Sequence, residues 1–135
     1  MERVEADGLV LTWSPDTRLL RMTTAYRLTV STGGDGLQAV SAIDSWVGGS
    51  KEPFGYLCDQ SGIESADAAA RVDWGACFDA HRDIIRAAWF GASPHMQVML
   101  RMFVTGLRAK GPFIGEAFLE EDEARAWLRE QNIDA

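Results

Sequence analysis

Cysteine, histidine, proline and basic charge are all in short supply in these 135 residues, and each shortage excludes something. Cys58 and Cys77 are too few and too far apart for a zinc-binding pattern, and in a reducing compartment they read as small core thiols. Lys and Arg number 13 against 20 Asp and Glu, a net charge of −7. That balance repels phosphate backbones and anionic lipid surfaces, so no nucleic-acid partner is expected. Arg86 and Arg101 cut the longest apolar stretches, and no membrane span is expected. Met1-Glu2-Arg3-Val4-Glu5 lacks the basic start and apolar run of a signal peptide, which points to the cytoplasm. Catalytic motifs are missing as well. There is no Gly-x-Ser-x-Gly, and Gly33-Gly34-Asp35-Gly36 has neither the lysine of a phosphate-binding loop nor dinucleotide spacing. The expectation is a protein without enzymatic activity, cofactor or metal.

What is present describes one domain spanning 1–135, with 47% hydrophobic and 24% charged residues, enough to bury a core unaided. β-prone runs near 8–13 and 17–23 flank the turn signal Pro15-Asp16 and predict an antiparallel hairpin. The segment from Tyr26 to Val30 fits either a prolonged second strand or a bend across the sheet. Leu37, Val40, Ile43 and Val47 recur at helical spacing, and Gly48-Gly49-Ser50 ends that helix. The unbroken apolar run 54–58 predicts a strand buried on both faces, hence central in a parallel or mixed sheet.

Asp59, Gln60, Ser61 and Gly62 carry turn chemistry. Ser65 precedes an alanine-rich run, where it predicts the N-cap of a helix from Ala66 to about Arg82 with Ala69, Val72, Ala76 and Ala80 inward. Gly75 weakens that helix and marks a close approach to a neighbour. His81 between Asp79 and Asp83 has poor metal or general-base spacing and reads as a solvated helix end. His95 has no partner visible in sequence. A strand from Ile84 to Phe90 follows, then a helix capped by Ser93-Pro94 and extending to about Leu107, with Met96, Met99, Leu100, Phe103 and Leu107 on one face. Lys110-Gly111-Pro112 stops it, 113–119 is the last strand, and Glu120-Glu121-Asp122-Glu123 opens a closing helix whose apolar face is Ala124, Trp127 and Leu128. The predicted order is β-β-α-β-α-β-α-β-α, an α/β fold with a mixed sheet of about five strands.

This pattern resembles the STAS-related SpoIIAA-like family, related in shape to anti-sigma factor antagonists and CRAL-TRIO lipid-transfer domains. The opening hairpin, Gly34-Asp35-Gly36, Pro53-Phe54 leading to Leu57-Cys58-Asp59, His81-Arg82-Asp83, and Phe118 to Leu128 with Glu123-Ala124-Arg125-Ala126-Trp127-Leu128 carry the likeness. In the antagonists a serine at the helix start is phosphorylated within Asp-Ser-Ser-Gly. The resemblance maps that acceptor to Ser65 behind Glu64, although Ala66 and Asp67 depart from the Ser-Gly that follows. It implies a regulatory or protein-interaction module whose contact surface is the loop Asp59, Gln60, Ser61, Gly62 and Glu64 with the helix after it.

Five Trp, six Phe and five Met suggest a second reading. Trp74, Trp89, Phe90, Met96, Met99 and Phe103 would line an apolar pocket for a lipid-like small molecule, or simply fill the core. Surplus apolar surface, with Trp13 and Trp46 as candidates for it, would favour a protein partner or a homodimer.

Overall fold

A computed structural model describes residues 1–6, 8–31 and 35–135. Six strands form one mixed sheet in the order β1-β2-β3-β5-β7-β8: β1 (Glu2–Ala6), β2 (Leu9–Ser14), β3 (Leu19–Thr24), β5 (Phe54–Asp59), β7 (Ile85–Phe90) and β8 (Gly115–Phe118). The pairs β1–β2 and β2–β3 are antiparallel, while β3–β5, β5–β7 and β7–β8 are parallel. β5 therefore lies between two parallel neighbours, as its unbroken apolar run requires.

Period-two alternation divides the core between the two faces of the sheet. Phe54, Tyr56 and Cys58 point to the main core, with Leu11, Leu20, Ile85, Ala87 and Trp89, under helices α1 (Asp35–Val47), α2 (Ala68–Ala80) and α3 (Pro94–Ala109). Leu57, Ala88 and Phe90 point the other way and pack with Ala124, Leu128 and Ile133 beneath α4 (Glu121–Glu130). The caps of α3 and α4 form as their sequences predict. Ser93 Oγ accepts from Met96 N at 3.2 Å, with Pro94 opening the helix. Glu120 N donates to Glu123 Oε1 at 3.2 Å, and Asn132 takes a left-handed φ of 63° just beyond α4.

Four features depart from the predicted order. β1 is an additional strand at the sheet edge, largely exposed and rich in charge, a composition that discourages edge-to-edge association. The segment after Tyr26 does not prolong β3. Residues 28–30 form β4 (Leu28–Val30), which pairs in parallel with β6 (Ile63–Ala66) in a separate two-stranded sheet. Because β6 occupies the predicted helix start, α2 begins later: Asp67 is its N-cap, with Oδ1 accepting from Ala70 N at 2.7 Å. The inward face of α2 is Ala70, Trp74, Cys77 and Phe78, whereas Ala69, Val72, Ala76 and Ala80 are exposed.

Gly75 faces α3, and a Cβ there would meet Phe103 at 3.6 Å, an ordinary contact. Trp13 is buried, edge-on to Phe54, and Trp46 packs against the main core, so neither forms a surplus face. Gly33 and Gly34, and the side chain of Leu37, lie outside the described residues. No helix of the described residues is long and apolar enough to cross a membrane.

Candidate functional site

The C-terminal ends of parallel strands are where open α/β sheets place their sites, and β5 ends here in a polar ladder. Tyr56, Cys58 and Gln60 alternate with Leu57 and Asp59, so all three face the main core. Tyr56 Oη donates to Met22 Sδ at 3.5 Å, and Gln60 Nε2 donates to Cys58 Sγ at 3.3 Å. Burial pushes the Tyr56 phenol well above its ordinary value, with Cys58 adding to the shift. Burial likewise drives the Cys58 thiol to about 12 against the opposing hydrogen bonds of Tyr56 and Gln60. Both groups are neutral near pH 7, which leaves Cys58 without the thiolate a nucleophile needs.

Gln60 is 6% exposed, and its Oε1 has no hydrogen-bond partner. It lines a cavity of about 80 Å³ that is otherwise almost wholly apolar. The predicted pocket residues Trp74, Trp89, Met96, Met99 and Phe103 all line it. Phe90 does not, because it follows Trp89 on a strand and points to the α4 side. Met22, Val30, Tyr56, Gln60 and Ile63 also line the cavity. Four of them come from four different strands and Gln60 from the turn after β5, and no periodicity within one segment could have gathered them.

The predicted contact loop divides into parts with different surroundings. Asp59 Oδ1 accepts from Ser61 N at 2.9 Å, which closes a tight turn and leaves Ser61 exposed. Gln60 turns inward and is unavailable to a partner. Gly62 approaches β3 so closely that a Cβ would collide with Thr24 Oγ1. Glu64 is exposed and pairs with Arg27 at 3.0 Å. Ser65 is not an N-cap: it sits half-buried on β6 opposite Thr29, its hydroxyl donating to Met99 Sδ at 3.8 Å. The helix N-terminus that would favour a phosphate belongs to Asp67.

Two further arrangements arise from helix pairing. Between α2 and α3 runs a groove of about 630 Å³, bordered by Val72 and Met102, which are 70% and 65% exposed. At the other side of α2, His81 Nε2 donates to Asp44 Oδ1 on α1 at 2.7 Å, and Cys77 Sγ lies 4.0 Å from the same oxygen. His81 thus finds its partner 37 residues away, and neither Asp79 nor Asp83 serves. Asp79 is held by Arg82, whose guanidinium keeps its carboxyl below the usual range.

Among solved structures, the same arrangement of strands and helices occurs in a DUF3478-family protein with a SpoIIAA-like fold from Shewanella loihica PV-4. The two superpose with a TM-score of 0.64 at 20% identity, over 95% of this chain and 98% of the other. The fold is SpoIIAA-like. Apo-SiaC from Pseudomonas aeruginosa is similar to a lesser degree, with a TM-score of 0.54 at 11% identity over 87% of this chain and 98% of that one. No family model matches the sequence, and no curated protein matches it. At such identities the likeness extends to the SpoIIAA-like framework alone.

Proposed function

We infer that this chain is a non-enzymatic regulatory module that holds a protein partner in the groove between α2 and α3. The observation that carries the reading is the pair of large apolar side chains, Val72 on α2 and Met102 on α3, left in water beside one groove. Gly75, Ala76 and Gly106 also line it and keep the space open for an incoming side chain. Covering Val72 and Met102 is worth roughly 1.5–3 kcal/mol for each side chain fully buried. Arg71 and Lys110 border the groove too, while its acid, Asp79, is engaged by Arg82. The fitting partner presents apolar residues flanked by acids. This reading keeps α2 as the contact element and shifts the surface away from the loop, where Gln60 is buried.

The test is affinity capture on the wild-type chain and on the Val72→Asp/Met102→Asp variant side by side, followed by binding of the purified candidate. A protein held by the wild type and released by the folded variant supports the groove. Equal capture by both, or none by either, overturns it. If the retained protein is a second copy, sedimentation will show a dimer that the variant loses.

The unpaired Gln60 Oε1 favours a second reading, a carrier or sensor of an apolar small molecule bearing one hydrogen-bond donor. A buried carbonyl without a partner costs on the order of 1–3 kcal/mol, which a donor would recover. The cavity is about 80 Å³, roughly half the volume known to admit benzene. A larger guest needs Met96 and Met99 to move, and methionine is the side chain best suited to that. Native mass spectrometry of gently purified protein should then show an adduct; a bare chain that also excludes a hydrophobic dye would sink this reading.

A further inference from the structure

Three donors of different chemistry meet where α1 and α2 end. Asp44 stands on the last turn of α1, Cys77 on the last turn of α2, and His81 caps α2 four residues further on. Their Oδ1, Sγ and Nε2 atoms all lie within 4.8 Å of one another. We propose that Asp44, Cys77 and His81 form a binding site for a divalent transition metal of the zinc type, with three protein ligands and a fourth position open to solvent.

A spacing of four residues sets Cys77 and His81 one above the other on a single helix face. Sulfur and imidazole nitrogen select zinc or cobalt over magnesium or calcium, whose ligands are oxygen. The carbonyl ends of both helices carry partial negative charge, which attracts a cation to this corner. Tetrahedral zinc holds its donors roughly 3.3–3.6 Å apart. The present separations of 2.7 Å for Asp44–His81 and 4.0 Å for Asp44–Cys77 bracket that range. Asp44 can adjust both of these distances, its side chain being 53% exposed against 12% for His81, while Cys77 and His81, within 4.8 Å of each other, close the third by small side-chain rotations. On binding, the Cys77 thiol releases its proton to solvent and forms the metal–sulfur bond. His81 binds through Nε2 as a neutral imidazole with its proton on Nδ1. Thiolate and carboxylate together neutralise the ion, and the bound metal replaces the Asp44–His81 hydrogen bond as the link between α1 and α2.

The test is titration of the full chain with Co²⁺ and, separately, Zn²⁺. One equivalent of Co²⁺ should produce a thiolate-to-cobalt charge-transfer band with visible bands of tetrahedral intensity. Cys77→Ala should abolish the charge-transfer band, whereas Cys58→Ala, which removes the other thiol, should retain it. Asp44→Asn changes a half-exposed side chain and should fold normally, with Co²⁺ and Zn²⁺ binding weakened at least about tenfold. Zn²⁺ should raise the Tm of the wild type and leave that of folded Asp44→Asn nearly unchanged. The site is refuted if the wild type shows no thiolate band, if the band survives Cys77→Ala, or if Zn²⁺ shifts both Tm values equally.

Discussion

Gln60 shows how one side chain can change the character of a pocket. A glutamine in a turn sequence reads as solvent-facing, yet the alternation of β5 carries it inward beside Cys58, with its carbonyl unpaired. Gln60→Met, close in shape and without the orphan oxygen, is expected to leave stability unchanged or raise it by about 1 kcal/mol in urea unfolding. A marked loss would mean that the carbonyl is satisfied by a bound donor. The buried thiols make a second prediction. Burial raises both Cys58 and Cys77 from 9.0 to about 12. The stability they contribute is therefore fully present below pH 9 and declines between pH 9 and 12, where the unfolded chain gives up thiol protons that the folded chain retains. The slope approaches about 1.4 kcal/mol per pH unit for each thiol. Urea midpoints measured against pH should fall less steeply in Cys58→Ala than in the wild type.

At the scale of elements, α2 holds most of what the sequence did not reveal. Alanine at 68, 69, 70, 76 and 80 gives its surface little hydrophobic contrast, so several stripes are equally consistent with an inward face. Tertiary contact selects the one bearing Trp74 and Phe78, which pack around Tyr56. Its start was obscured for a related reason. Ile63 to Ala66 is too short to declare itself a strand, and only pairing with β4 makes it one. The consequence is measurable at the cap. Asp67→Ala should lower unfolding free energy by about 1 kcal/mol, and Ser65→Ala, away from the helix end, by clearly less. Equal losses would return Ser65 to the capping role. By contrast α3 and α4 were legible, because Met96, Leu100 and Leu107, and Ala124 and Leu128, recur at helical spacing and both helices open on strong start signals, Ser93-Pro94 and the acids from Glu120 to Glu123.

Across the whole molecule, the sheet carries its large residues inside and leaves an apolar groove outside, between α2 and α3. Val72→Asp/Met102→Asp exchanges side chains that are mostly in water, so its stability should stay within about 0.5 kcal/mol per change of the wild type. Chemical denaturation checks this, and a larger loss would mean that the groove is part of the core. The groove, the cavity and the Asp44–Cys77–His81 cluster are all made by elements distant in sequence. Part of the candidate pocket was nonetheless legible, since Met96, Met99 and Phe103 lie on the face of α3 that periodicity assigns; Trp74 sits on a face of α2 that periodicity did not pick out, and Phe90 was misplaced because a run of apolar residues conceals the alternation of β7.

The sequence by itself determined the α/β class, the central place of β5 and the two well-capped helices, because each follows from local pattern or turn chemistry. Only the tertiary structure decided that Ser65 is a strand residue, that Gln60 turns inward and that Asp44 meets His81. These depend on pairing between segments tens of residues apart, and such pairing is set by the mutual fit of whole surfaces, which no local window contains.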